Sequence, residues 1–261
     1  MNYRMIAASL LLAGSTVASA ATVKYQLGAE VYNETYKETV DSQPFMKEEA
    51  NMTGLNGAII ISTSPLDEVL LEGRYARGNS DYTGAYQGGQ YGSLQNSGIE
   101  SRTWEFGATY KRFIPDWDGV KLGLGIGTRY LEDHLDKYAG GYRRENTLDY
   151  ATFVMERPTQ LDGGWTMTPA FKYKYLLDGQ QDSKLTSGTL THTQNKGSGY
   201  DLSLEFAKTS GKTEWLITPY MRTWHIKKSE SVYVTDGVDV LETYEPDNKT
   251  KELGISIGMR F

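Results

Sequence analysis

The sequence predicts an all-β fold: a membrane-spanning, antiparallel, up-and-down β-barrel of about ten strands, with short turns at one end and long loops at the other. Three observations predict it. The last nine residues alternate strictly, Leu253, Ile255, Ile257, Met259 and Phe261 against Gly254, Ser256, Gly258 and Arg260, which is the two-residue period of a half-buried strand. Segments of the same kind recur along the chain, joined alternately by short and long polar connections. Their aromatic residues sort by height, at segment ends, around an aliphatic middle.

Taken in order, residues 1–20 carry Arg4, an apolar run from Met5 to Ala13, and Ala18-Ser19-Ala20. This is the pattern of a secretory signal peptide cut after Ala20, leaving 21–261 as a single barrel domain. The apolar run is shorter than the roughly 20 residues that a helix needs to span a bilayer. Zero cysteines in the sequence mean that an exported chain folds without disulfides and relies on hydrogen bonding and burial. A net charge of −6, or −7 once Arg4 is removed, argues against binding nucleic acid. A mean hydropathy of −0.51 resembles that of a soluble protein, but a barrel exposes only alternate residues to lipid, so the average underreports it.

Ten alternating segments follow. The first, 23–36, sets Val23, Tyr25, Leu27, Ala29 and Val31 against Lys24, Gln26, Glu30 and Glu34. The second, 51–62, ends in Ile59-Ile60-Ile61, whose continuous apolarity leaves its facing open. The third, 68–77, places Val69, Leu71, Gly73 and Tyr75 opposite Glu68, Glu72 and Arg74. The fourth, 103–112, opposes Trp104, Phe106, Ala108 and Tyr110 to Glu105 and Lys111. The fifth, 120–131, opposes Val120, Leu122, Leu124, Ile126 and Tyr130 to Lys121, Gly123, Gly125, Gly127 and Arg129. The sixth, 146–156, has Leu148, Tyr150 and Val154 on its apolar side, with Asp149 opposite. The seventh, 165–177, opposes Trp165, Met167, Pro169, Phe171, Tyr173 and Tyr175 to Lys172 and Lys174. The eighth, 200–208, alternates Tyr200, Leu202, Leu204 and Phe206 with Asp201, Ser203 and Glu205. The ninth, 214–226, begins Trp215-Leu-Ile-Thr-Pro219 and echoes Trp165-Thr-Met-Thr-Pro169. The tenth is the C-terminal strand.

Long polar connections are expected at 39–49, 78–101, 132–144, 179–196 and 228–250, and short turns between them. Tyr75, Trp104, Tyr130, Tyr150, Tyr175 and Tyr200 fall on the apolar face beside the long loops. Tyr25, Tyr110, Trp165, Phe206, Trp215 and Phe261 fall beside the short turns or termini. Two aromatic rings around an aliphatic belt are expected where amphipathic side chains anchor at both membrane interfaces.

The whole mature sequence resembles the ten-stranded outer-membrane β-barrels of Gram-negative bacteria. A closing strand that ends on Phe261 resembles the segment that the barrel-assembly machinery recognises in those proteins. The resemblance implies localisation in the outer membrane, contact with its lipid and lipopolysaccharide, short turns in the periplasm and long loops outside. It names an architecture and no activity.

Function is then expected from the lumen or the rim. The lumen should be lined by Glu30, Glu72, Arg74, Glu105, Lys111, Lys121, Arg129, Lys172, Lys174, Glu205 and Arg222. Both signs are present, so these groups either line a narrow ion or solute path or pair across the interior and plug it; pairing is favoured in a barrel of this size. The inward glycines 123, 125 and 127 would widen a path, or else accommodate a neighbour's long side chain. At the rim, Tyr82, Tyr86, Tyr91, Arg143 and Arg144 are candidates for surface binding. The leading expectation is a non-enzymatic protein, either a narrow channel or a surface structural or binding protein. The alternative is a rim hydrolase like the omptin proteases of the same strand number, which work with acidic residues and a His–Asp pair. Here Asp133, His134 and Asp136 would serve. No histidines are spaced as metal ligands, and neither a metal nor a cofactor is expected.

Overall fold

The computed structural model describes residues 21–86, 89–235 and 240–261. The expected signal peptide, and Asp236 and Asp239 of the last loop, lie outside them. Ten long strands run in chain order: β1 (Thr22–Val40), β2 (Gln43–Ser62), β3 (Asp67–Gly84), β4 (Leu94–Ile114), β5 (Val120–His134), β6 (Arg143–Glu156), β7 (Trp165–Leu185), β8 (Gly197–Ser210), β9 (Thr213–Ile226) and β10 (Asp247–Arg260). Each pairs antiparallel with its sequence neighbours, and β10 pairs with β1 as well as β9, which closes the sheet.

The closing seam has the register expected from the alternation, with Leu27 opposite Met259, Ala29 opposite Ile257 and Val31 opposite Ile255. Tyr25 and Phe261 exchange both backbone hydrogen bonds at 2.9 Å, and their rings lie 6.1 Å apart on the outer face. Closure leaves no unpaired edge in lipid, where each unsatisfied backbone group costs several kcal/mol. The outward faces of the ten strands carry the exposed aliphatic belt, including Leu27, Val31, Leu55, Leu71, Leu124, Ile126, Leu202, Ile217, Leu253 and Ile257. This belt between aromatic rings makes the chain a membrane-spanning barrel of the outer-membrane type.

The strands are longer than their apolar segments. About ten residues cross the hydrocarbon, whereas β4 has 21 residues and β2 has 20. The excess projects beyond the ring of Tyr75, Trp104, Tyr130, Tyr175 and Tyr200. Much of what reads as long loop is therefore ladder. The 39–49 connection reduces to a two-residue turn at Asp41 and Ser42, both with positive φ, the geometry of a primed hairpin turn. Residues 78–84 and 94–101 continue β3 and β4, and the 179–196 segment pairs Gln180–Leu185 with Gly188–Thr193. The last connection forms a small hairpin of Val232–Thr235 on Val240–Thr243. Above the membrane the outward face meets water, so the apolar half of the alternation vanishes while the backbone pairing continues.

One strand faces opposite to expectation. On β6, Leu148, Tyr150 and Val154 point into the barrel and are buried, while Phe153 and Met155 face lipid; Asp149 lies on that outer side, not in the lumen. Tyr150 therefore belongs to the interior, not to the upper aromatic ring. Gly127 explains the choice, since a Cβ there would overlap the Tyr150 ring: the missing side chain on β5 makes room for the large one on β6. Of Ile59-Ile60-Ile61, Ile59 and Ile61 follow the outward face, opposite Tyr25 and Val23, and Ile60 points inward.

The two Trp-x-x-x-Pro segments also acquire a spatial meaning. Pro169 of β7 and Pro219 of β9 stand at matching heights on either side of β8, Pro169 opposite Leu204. Neither has an N–H to give the ladder, and the β8–β9 register is interrupted between Ser203 and Phe206. An apolar groove of about 570 Å³ crosses the lipid-facing surface there.

Candidate functional site

Below the mid-height the lumen is a cavity of about 790 Å³ that opens at the short-turn, periplasmic end. Its wall is paired. Lys111 holds Glu156 at 2.8 Å and Glu68 at 3.5 Å, Lys121 holds Glu68 at 2.7 Å, Lys172 bonds Glu72, and Arg260 holds Glu205 and Glu214, both at 2.8 Å. Lys24 completes the layer on Glu214 at 2.9 Å.

At mid-height the charges close ranks. Arg74 donates to Glu252 at 2.8 Å, Glu105 at 3.0 Å and Glu30 at 3.4 Å. Arg222 reaches Glu30 and Glu252 at 3.3 and 3.4 Å. Lys174, fully buried, sits 2.8 Å from Asp201 and 3.4 Å from Glu105, with its ammonium 4.9 Å from the Trp224 ring centroid. The decisive contact is Arg129, which bonds Glu34 and Glu252 at 3.3 Å each. Arg129 is on β5 and Glu252 on β10, five strands apart in a ten-stranded ring, so this pair spans the full diameter. Two apolar clusters fill the space on either side: Tyr32, Ala50, Met52, Ala76 and Tyr220, and Leu148, Tyr150, Leu176, Trp224 and Ile226. Tyr150 donates to Glu105 at 2.6 Å and meets Trp224 edge-on at 5.3 Å.

A second closure lies above the aromatic ring, outside the membrane. Arg144 of β6 donates from Nε to Asp133 at 2.8 Å, from Nη1 to Glu38 at 2.8 Å and from Nη2 to Glu48 at 2.7 Å. Glu38 is on β1, again diametrically opposite, and Glu48 is on β2. The guanidinium lies 5.0 Å from the Tyr36 ring centroid.

Glu30, Glu72, Arg74, Glu105, Lys111, Lys121, Arg129, Lys172, Lys174, Glu205 and Arg222 stand on the inner face of the sheet, in the lower and middle layers. The rim candidates divide. Tyr86 and Tyr91 are exposed at the β3–β4 tip, but Tyr82, opposite Glu48, turns inward over Arg144. Arg143 faces outward toward Glu145 at 3.0 Å, whereas Arg144 is buried; alternation separates the two. It also separates Asp133 from His134. Asp133 points inward to Arg144, while His134 contacts Glu132 and Asp136 on the outer face, at 3.3 Å each. The three residues do not converge on one cleft. His225 is brought to Asp247 at 2.8 Å, a pair with no proximity in sequence, but Lys227 shares the same imidazole nitrogen at 3.2 Å. His192 is buried beside Thr243 Oγ1 at 3.1 Å. Sequence reasoning missed Glu38, Glu48 and Glu245 because the segments holding them read as loops. The available signal was the continued two-residue period of Glu34, Tyr36 and Glu38.

No family model and no curated protein matches the sequence. Among solved structures the chain is similar to the outer membrane protease OmpT from Escherichia coli, with a TM-score of 0.56 at 10% identity over 92% of this chain and 96% of that one. Neisserial surface protein A matches with a TM-score of 0.37 at 8% identity, covering 93% and 98% of the two chains. The β domain of the Bordetella autotransporter BrkA matches with a TM-score of 0.42 at 12% identity, covering 91% and 98%. The OmpT likeness supports the fold and carries no activity across.

Proposed function

We propose that this outer-membrane barrel is a non-conducting, non-enzymatic protein whose working surface is its extracellular end, a structural or binding role rather than transport. One observation carries the reading: charged side chains bridge diametrically opposed strands at two heights, Arg129 to Glu252 and Arg144 to Glu38, with packed aromatic and aliphatic residues between. Ions would have to displace paired, buried charges to pass. His134 and His225 stand on the outer face, away from the lumen, each among charged neighbours rather than in a shared cleft, Glu132 and Asp136 for the first and Asp247 and Lys227 for the second, which favours ion pairing over catalysis. The exposed Tyr86, Tyr91, Tyr233, Val240 and Leu241 at the loop tips supply contact area for a partner.

The test is conductance of the purified protein in planar bilayers. The expected result is silence over a wide voltage range. Current is expected once Arg129 and Arg144 are both replaced with Ser and the Tyr150–Trp224 contact is removed by Trp224→Ala. Discrete ion-selective steps in the unmodified protein would overturn the reading in favour of a channel.

A further inference from the structure

The three layers of interior charge differ in balance. The lower layer sets five cations, Lys24, Lys111, Lys121, Lys172 and Arg260, against Glu68, Glu72, Glu156, Glu205 and Glu214. The middle sets Arg74, Arg129, Arg222 and Lys174 against five carboxylates. The upper layer has Arg144 as its one cation among the described residues, against Asp133, Glu38, Glu48 and Glu245, all buried. Fully ionised, it would hold a net charge of three negatives out of water, which no fold tolerates uncompensated.

The contacts show where compensation enters. Glu38 accepts from Arg144 and from the Tyr36 hydroxyl at 2.8 Å each, and its carboxyl lies against that of Glu245. Two buried carboxyls side by side repel each other unless one of them carries a proton. Glu48 accepts from Arg144 and from Ser80 at 3.2 Å. Asp133 Oδ1 and Glu245 Oε1 are buried, and neither meets a second cation among the described residues. No three acids or histidines among the described residues converge as metal ligands, so protons are the cations the site accommodates.

We infer that the upper layer is a proton-held latch: Arg144 draws the β1–β2 hairpin onto β5 and β6, the Glu38–Glu245 carboxyl pair ties the same hairpin to the β9–β10 connection, and loss of the protons releases the extracellular mouth. The latch is separate from the mid-height closure, so the mouth opens without the barrel conducting. The groups facing it are Tyr36 from β1, Tyr82 from β3 and Tyr142 beside β6, with Ser80 and Met46, and His134 acts on Asp133 from the outer side of β5. Apart from His134, none of these can supply a second cation. Burial raises the carboxyls of Glu38, Asp133 and Glu245 above the ordinary carboxylate range and that of Glu48 to about 8. The folded site therefore holds protons that the unfolded chain releases near pH 4 to 5. Its stabilisation is complete below that range and is lost as pH rises through the folded values.

The chain has no cysteine, so single introduced thiols report on the mouth. Met46 is buried, its sulfur 3.9 Å from Arg144, while neighbouring Phe45 is exposed. The ratio of thiol-labelling rates, Met46→Cys over Phe45→Cys, cancels the pH dependence of the reagent. It should rise about tenfold between pH 6 and pH 9.5. Glu245→Gln mimics the protonated acid and Glu48→Gln removes a second charge, so in that double background the ratio should stay at its low value. A thermal melt over the same pH range should show the upper pH limit of stability extended in the double variant. A flat ratio in the native background, an equal rise in the Gln background, or abolition of the rise by millimolar Mg²⁺ or Ca²⁺ would overturn the proton latch. The last outcome would identify a metal site instead. Because labelling and current are measured separately, failure here leaves the non-conducting reading standing, and conversely.

Discussion

Replacing Glu252 with Ala should cost about 3–5 kcal/mol of folding free energy, the range for removing one partner of a buried ion network, read as a shift in urea-induced unfolding in vesicles. Glu252 is 2% exposed and accepts from Arg74, Arg129 and Arg222. Its loss leaves three buried guanidiniums to share Glu30, Glu34 and Glu105, and strands Arg129, whose diametric contact is with Glu252. Glu252→Gln keeps the volume and one acceptor and should recover part of the loss. The same two variants at exposed Glu49 are expected to change stability by no more than about 0.5 kcal/mol. An Ala variant at Glu252 as stable as the native protein would show that the mid-height network is not a coupled structural element.

The second large effect is expected at Gly254 on the closing strand. A Cβ there would stand 2.5 Å from Tyr32 Cβ, 2.6 Å from the Val31 carbonyl oxygen and 2.8 Å from the Tyr220 ring. The first two atoms are on or next to the backbone of β1 and cannot swing aside. Gly254→Val should therefore destabilise by about 1–3 kcal/mol or more and slow closure of the barrel, since it forces β1 and β10 apart at Tyr32, the residue opposite it. Gly211, in the β8–β9 turn with nothing within 4 Å of a Cβ, provides a contrast. There the penalty comes only from its φ of 64° and stays local, so assembly yield should be retained. Equal assembly of the two variants would argue that the seam forms loosely.

These two sites show how legibility varied along the chain. Leu253–Phe261 could be read outright because inside the membrane each residue meets one of two very different media, lipid or lumen, and alternation records the difference. The same contrast exposed Glu30, Arg74, Arg129 and Lys174 as inward residues. On β6 it failed, because Leu148, Tyr150 and Val154 are apolar residues used as interior filling. Their facing depends on the space left by Gly127 across the ladder, a fact about a neighbouring strand. Beyond the membrane it faded, since water on the outside removes the apolar half of the pattern, and Glu38 and Glu48 were lost among residues that read as loop.

The sequence by itself therefore determined the strand count, the closing pair, the membrane belt and, Asp149 apart, the inward charges of the membrane-spanning stretch, because each follows from local period and from the medium on either face. Only the tertiary structure decided which of those charges meet. Whether Arg129 reaches Glu252 across the diameter and whether Arg144 gathers Glu38 and Glu48 as well as its near neighbour Asp133 depend on ring order, tilt and register, which bring β5 against β10 and β6 against β1.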